Sequence, residues 1–292
     1  MKLCGKTGTS ACNEMKDKAC LRKTEAVSCL LFCLYMEKNN YKYKKTNMEG
    51  RYYRNTLIEG FGDKGQEKLA AAKVLVIGAG GLGSPVLFYL AAAGIGTLGI
   101  ADYDTVDITN LQRQILHTTN DLGKPKINSA ALKIAAFNPG IAVKTYPQKF
   151  TDENAASLVD KYDFIVDCSD NYATKLLIND ICVKLQKPYS HGAVISLQGE
   201  TMTYLPGTAC YRCVFDTPPE DGKLPTSAQT GILGSVAGMI GSIQATETIK
   251  YIAGTGDLIT NRLLIVDART MNFSSLKVNA NKRCICHNAP LL

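Results

Sequence analysis

Residues 78–84, Gly-Ala-Gly-Gly-Leu-Gly-Ser, carry the spacing G-x-G-x-x-G through Gly78, Gly80 and Gly83. They follow the apolar run 73–77 and precede a helix-permissive apolar stretch, so strand, glycine turn and helix start come in the order a phosphate site requires. Glycines let the backbone approach an anion closely, and the unpaired N–H groups of a helix start point at it. An ordinary tight strand-to-helix turn is the plainer reading, but what lies downstream favours a phosphate. Asp102 falls 19 residues beyond Gly83, about where a ribose-binding acid stands in a dinucleotide-type βαβ unit, and Asp104 is a second acid beside it. Asn110, Arg113 and Gln114 follow at once, and Gly-Lys-Pro-Lys at 123–126 adds Lys124 and Lys126. Charge builds on phosphate oxygens as a pyrophosphate leaves, and a cationic and amide set of this kind offsets it. Asp170 ends another apolar run, where a Mg²⁺-binding carboxylate would face the phosphates. A second kind of chemistry lies in Cys210 and Cys213, a C-x-x-C pair, and in Cys284, Cys286 and His287. Two pairs of soft ligands at this separation suit one tetrahedral, structural Zn²⁺ that ties the tail to the body.

The elements that must position these residues alternate. The segments 73–77, 97–104, 141–147, 164–170 and 188–194 predict strands, the first a β-branched and leucine run with no polar alternation, as in a strand buried on both faces. Helical stretches fall between them at 126–137, 153–159 and 174–185, the first stopped by Asn138-Pro139-Gly140. Ser84 and Pro85 are residue types suited to an N-cap and a first helical turn. This order predicts an α/β, Rossmann-like, mostly parallel sheet with helices on both faces. Two later runs, near 198–206 and 263–270, predict strands that break the pattern and run antiparallel, with a long helix over 235–251 between them.

Composition narrows the class of protein. The 292 residues are 46% hydrophobic and 20% charged, as in a soluble globular chain, and no apolar run reaches the roughly 18 residues of a membrane span. Net charge is +7, of which residues 1–50 carry +5 (ten Lys or Arg against five Asp or Glu), so the body is nearly neutral. That excludes an electrostatic footprint for nucleic acid. Residues 1–48 read as a weakly structured basic extension and 49–292 as the working domain. Eleven cysteines without a secretory signal favour a reducing compartment, hence a cytoplasmic protein; Cys168 and Cys182 read as buried small hydrophobes. His117 and His191 read as structural histidines rather than proton carriers.

From about residue 51 onward the chain resembles the ThiF/MoeB/HesA family, the bacterial relatives of ubiquitin-activating enzymes. The resemblance rests on Arg-Tyr-Tyr-Arg-Asn at 51–55, the glycine loop, Asp-Tyr-Asp-Thr-Val-Asp-Ile-Thr-Asn-Leu-Gln-Arg-Gln at 102–114, Gly-Lys-Pro-Lys, Asp-Cys-Ser-Asp-Asn at 167–171 and Cys-Tyr-Arg-Cys at 210–213. It implies an adenylyltransferase that uses ATP and Mg²⁺ on the C-terminal glycine carboxylate of a small ubiquitin-like sulfur carrier ending in Gly-Gly, in thiamine, molybdopterin or related sulfur metabolism. It also implies a homodimer. Carried over, Gly78, Gly80, Gly81 and Gly83 with Asp102, Asp104 and Gln114 form the nucleotide site. Asn110, Arg113 and Lys126 contact phosphates, Asp170 holds Mg²⁺, and Arg54 reaches into the partner's site.

Two departures stand out. The second cysteine pair of the family is also C-x-x-C, whereas here it is Cys284-x-Cys286-His287, so the fourth zinc ligand is Cys286 or His287. Many relatives carry a cysteine before the long helix for a thioester or persulfide step, and here Ser227 stands there, which implies an enzyme that stops at the acyl-adenylate. The rival readings are an NAD(P)-dependent oxidoreductase, which would use the same loop and acid, and a non-catalytic binding module on the same fold.

Overall fold

The computed structural model describes residues 50–215, 227–281 and 284. The extension expected over 1–48, and the ligands Cys286 and His287, lie outside the described residues, as does the side chain of Ser227.

The expected alternation is present. Five strands are parallel: β1 (Lys73–Ile77), β2 (Thr97–Ala101), β3 (Ala142–Tyr146), β4 (Phe164–Asp167) and β5 (Tyr189–Ile195). Helix α1 (Gly62–Ala71) precedes them, and α2 (Gly83–Ala93), α3 (Lys126–Phe137), α4 (Asp152–Val159) and α5 (Tyr172–Lys184) connect them. Then β6 (Gln198–Tyr204), β7 (Arg262–Asp267) and β8 (Asn272–Lys277) add antiparallel pairs, with α6 (Gly234–Ala253) between β6 and β7. The sheet order is β3-β2-β1-β4-β5-β6-β7-β8. β1 therefore sits between β2 and β4, and the chain winds outward from it in both directions. A crevice opens beyond the carboxyl ends of strands at such a switch point.

The unbroken apolar character of β1 follows from two-sided burial. Val74 and Val76 face one core with Val86, Leu87 and Leu90 of α2 and Ile240 of α6. Leu75 and Ile77 face a second core with Ala155, Leu158 and Val159 of α4 and Ile178 of α5. All four β1 side chains are at most 3% exposed, and each buried aliphatic chain stabilises the fold by about 1.5–3 kcal/mol. β8 is absent from the sequence reading because most of its residues, Phe273 and Leu276 included, lie exposed at the sheet edge and leave no apolar period. The strand expected to run to residue 270 stops at Asp267, whose carboxylate accepts from Arg269 N–H to open the turn into β8.

Helix α3 ends where Asn138-Pro139-Gly140 predicts. Asn138 is extended (φ −139°, ψ 90°), as a residue before proline must be. Its buried amide donates to Ala91 O at the end of α2 (2.7 Å) and to Tyr52 Oη (2.8 Å), tying three segments together. Asn138→Ala should therefore cost about 1–3 kcal/mol in chemical denaturation, because a buried carbonyl loses its donor. A change under about 0.5 kcal/mol would show that the tie carries no stability.

Candidate active site

The glycine loop leaves β1 in a turn that only glycine accommodates at two points. Gly78 has φ +100°, and a Cβ there would stand 2.5 Å from Cys168 O. A Cβ on Gly83 would stand 2.0 Å from Gly78 O, so the loop closes on itself through backbone that cannot yield. Gly78 N–H donates to Ala101 O at 2.8 Å, which binds the loop to the end of β2. Asp102 then takes Ala79 N–H on Oδ2 (2.7 Å) and Asp104 N–H on Oδ1 (2.8 Å). The helix begins two residues earlier than the N-cap reading of Ser84 supposes. Ser84 N–H already makes a helical bond to Gly80 O (2.9 Å), and its hydroxyl bonds the same carbonyl. Winding the glycine loop itself brings α2 forward, so Ser84 is a buried first-turn residue.

A cavity lies over this loop at the carboxyl ends of β1, β2 and β4. Gly78, Gly80, Gly81, Asp102, Asp104, Arg113, Gln114, Lys126 and Asp170 all line it. Lys126 is buried and its Nζ pairs with Asp104 Oδ2 at 3.0 Å, which holds the ammonium at the rim. Arg113 donates from Nη1 to Thr109 O at 3.0 Å. Gln114 is 4% exposed, and its Oε1 has no hydrogen-bond partner among the described residues, an unspent acceptor beside the loop. The Tyr103 phenol, also on the lining, is raised above its ordinary value by Asp104 first, then by burial, Asp170 and Asp102. Three carboxylates, Asp102, Asp104 and Asp170, thus gather around Tyr103. Asp170 and Asp104 are hard oxygen donors of the kind that could hold a divalent cation.

Three residues expected at the site stand apart from the lining. Gly83 lies behind the loop, at the start of α2. Asn110 uses its side chain to accept from Asp107 N–H in a reciprocal cap, and its carbonyl accepts from the N–H groups of Arg113 and Gln114, so within the chain it positions those two residues. Arg54 is exposed on the short turn Tyr53–Thr56 and does not reach the cavity of its own chain.

Beneath Asp170 lies a buried charge cluster that the sequence reading did not resolve. Asp167, at the end of β4, accepts from Ser169 N–H (3.0 Å) and Ser169 Oγ (2.6 Å), which forms the turn that presents Asp170. Its other oxygen takes Lys175 Nζ (3.2 Å) and His191 Nδ1 (2.9 Å), and Gln244 donates to its carbonyl (2.8 Å). Burial pushes the Asp167 carboxyl up, but the Lys175 charge, His191 and Ser169 outweigh it and hold it at about 2. Lys175 also lines the cavity and donates to Gly192 O at 2.7 Å. It stands four residues after Asn171, the residue that caps α5 by accepting from Thr174 N–H, so the cap spacing is the signal that places it on the site's side of the helix. Lys149, in the segment after β3, is a further lining cation whose sequence context gives no sign of it. His117 is bonded at both ring nitrogens; His191 Nε2 is buried with no hydrogen-bond partner among the described residues, the Glu200 carboxylate standing 3.6 Å away.

The cysteine pair meets the tail as expected. Cys210 Sγ is 4.0 Å from Cys213 Sγ and 3.4 Å from Cys284 Sγ, and all three lie within 4.8 Å of one another. These separations exceed a disulfide bond and suit three vertices of a tetrahedral metal site. Asn281 N–H donates to Cys213 Sγ at 3.3 Å, a contact that supports a thiolate.

Fold and cavity together define a Rossmann-like α/β domain with a glycine loop at the sheet's switch point. The ThiF family pattern matches residues 52–288, and the chain belongs to that family. The sulfur carrier protein adenylyltransferase of Thermus thermophilus is 41% identical over 247 residues, 82% of this chain and 91% of that protein. The SAMP-activating enzyme E1 of Haloferax volcanii is 40% identical over 234 residues, 80% of this chain and 87% of that protein. The adenylyltransferase and sulfurtransferase MOCS3 of Anopheles gambiae is 42% identical over 245 residues, but the match spans only 56% of its length. Among solved structures, the microcin C7 biosynthetic enzyme MccB, in complex with N-formylated MccA, aligns with a TM-score of 0.77 over 96% of this chain and 86% of that one. At 23% identity that likeness shows a shared fold. Among the described residues, no helix is long and apolar enough to cross a membrane.

The buried cluster makes a stability prediction. Lys175→Met should destabilise the fold by about 3–5 kcal/mol at neutral pH, because it strands the Asp167 carboxylate, and adding Asp167→Asn should restore most of the loss. Since Asp167 is depressed from 3.8 to about 2, its contribution is complete above pH 3.8 and disappears as the pH falls through about 2. Denaturant titrations of the single and double variants check this; a double variant no more stable than the single one would contradict it.

Proposed function

We propose that this chain is an adenylyltransferase that activates the C-terminal glycine carboxylate of a small ubiquitin-like sulfur carrier with ATP. The observation that carries the reading is the convergence of loop backbone, Arg113, Lys126 and Asp170 on one cavity at the switch point. Two relatives that the chain spans over most of their length, named for activating such carriers, support it. The carrier carboxylate oxygen attacks the α-phosphorus, a new carboxyl–phosphate bond forms, and the bond to the bridging oxygen breaks as pyrophosphate leaves. A carboxylate has no proton to lose, so no general base is needed, and the work is alignment and cancellation of repulsion. Gly78, Gly80 and Gly81 bring backbone to the phosphates, Asp102 takes the ribose with its remaining lone pairs, and Gln114 offers its free acceptor within the nucleotide site. Arg113, Lys126 and Lys149 neutralise the phosphate chain. Asp170, with Asp104 near, would hold Mg²⁺, which supplies further charge neutralisation on the phosphates. Asn110 and Arg54 complete the set: Asn110 by holding Arg113 and Gln114 in place, Arg54 by reaching from a second copy in a homodimer.

Cys210, Cys213 and Cys284, whose sulfurs cluster, would hold a structural Zn²⁺ with Cys286 or His287 as the fourth ligand, and the metal would tie the tail to the body. Metal analysis of protein purified without chelator tests this, and finding no zinc would remove it. With Ser227 where many relatives have cysteine, the reaction ends at the acyl-adenylate, in sulfur-transfer metabolism of the thiamine or molybdopterin type.

ATP–pyrophosphate exchange tests the reading. Exchange should depend on a carrier ending in Gly-Gly, and Arg113→Ala should lower it at least about a hundredfold with the fold intact. An unaltered rate in that variant would remove Arg113 from the site. A reductant-sensitive covalent adduct between enzyme and carrier in the same reactions would overturn the absence of a thioester step.

A further inference from the structure

Ala79 carries a second restraint, from a direction the glycine motif does not announce. His117 Nε2 lies 2.9 Å from Ala79 O, and His117 Nδ1 lies 2.9 Å from Ser129 Oγ. A carbonyl oxygen only accepts, so Nε2 carries the proton and the neutral ring presents a lone pair at Nδ1. Ser129 O–H then donates to Nδ1, and its oxygen accepts from Lys133 Nζ at 2.7 Å. Lys133 in turn pairs with Asp121, whose carboxylate also takes Thr118 N–H (2.8 Å) and Thr118 Oγ (2.7 Å). His117 is 4% and Ser129 1% exposed, so the chain of donors is buried from Ser129 inward, and it runs one way, from the partly exposed Lys133 through Ser129 and His117 to Ala79 O.

The end of that chain bears on the cavity. A trans peptide holds its C=O and its N–H in one plane, pointing opposite ways. Fixing Ala79 O on the buried imidazole therefore turns Gly80 N–H away from His117, and among the described residues nothing accepts that N–H. Gly80 lines the cavity, so an N–H held in this way is a donor kept for an anion. Resting on the reading that the cavity binds ATP, we infer that His117 is a positioning residue: as the Nε2–H tautomer set by Ser129 and Lys133, it aims the loop's Gly80 N–H at the nucleotide phosphates. The charged groups around the ring agree with a neutral imidazole. Burial lowers its pKa first; Lys133 and Lys126 lower it further, against the opposing pull of Ala79 O and Asp121.

The test uses the full chain and calorimetric titration with ATP and, separately, with adenosine, which has no phosphate to meet the loop. His117→Phe keeps a ring but cannot donate, and should weaken ATP binding about tenfold while leaving adenosine affinity within about twofold. His117→Gln, which restores a donor, should recover most of the loss, and the carrier's KM in pyrophosphate exchange should not move. A folded His117→Phe variant with wild-type ATP affinity would overturn the assignment, as would equal losses for ATP and adenosine, or a Gln variant no better than Phe. If the Phe variant fails to fold, Ser129→Ala decides. It removes only the hydroxyl that sets the tautomer, and should still weaken ATP selectively, whereas unchanged affinity overturns the proposal. Failure of the wild-type protein to bind ATP at all would instead overturn the adenylation reading on which this one stands.

Discussion

Ala79 is held at both ends of its residue: its N–H goes to Asp102 and its carbonyl to His117. Little else in the cavity would have a fixed place without this. Gly78 and Gly83 permit the tight turn but do not by themselves choose one path through the allowed space, because glycine is permissive in both directions. Asp102 at the end of β2 and His117 in the loop before α3 supply the choice from opposite sides. The geometry of the loop is thus set by two elements that follow it in sequence, and the glycines are the part that had to be small rather than the part that decides.

The other wall is braced differently. Asp167 is a fully enclosed carboxylate, and enclosing a charge is costly unless partners offset it. Lys175, His191 and Ser169 offset it here, and in doing so they fix the turn that carries Asp170. Gln244 reaches from α6 to the Asp167 and Ser190 carbonyls, so the late helix is coupled to the same wall. One wall is therefore oriented by backbone hydrogen bonds and the other by a buried ion cluster. Both present pre-aligned groups, which is the form that catalysis by charge neutralisation requires.

Much of this was legible in the sequence, and for identifiable reasons. The loop, Asp102 and Asp170 sit at the ends of strongly apolar runs, and the parallel α/β topology forces strand ends to a common crevice. Arg113 and Lys126 lie in the polar segment that follows β2, where their place beside the loop rests on the motif rather than on the period of the chain. Ser84 lies inside the helix rather than at its cap because side chains of this type serve equally as caps or back-bonding groups, and only the local winding decides. Lys175 and Lys149 went unremarked because a lysine's type says nothing of whether its stem is buried against a cavity. β8 escaped notice because an exposed edge strand carries no apolar alternation. Arg54 shows a different limit: within one chain it stands in solvent, and the role proposed for it depends on a second copy. The zinc reading stands on three sulfurs, with the fourth ligand left between Cys286 and His287 as the sequence had it.

The central claim is that an adenylyl group is transferred from ATP to a carboxylate in the cavity over Ala79. Intact-mass measurement of a Gly-Gly-ended carrier, incubated with the enzyme, ATP and Mg²⁺ and quenched in acid, tests it directly. The account predicts a carrier heavier by one adenylyl group, formed in step with pyrophosphate and lost on mild base with return of the free carboxylate. A carrier of unchanged mass with every Gly-Gly-ended candidate, from an enzyme that binds NAD(P) tightly instead, would contradict it.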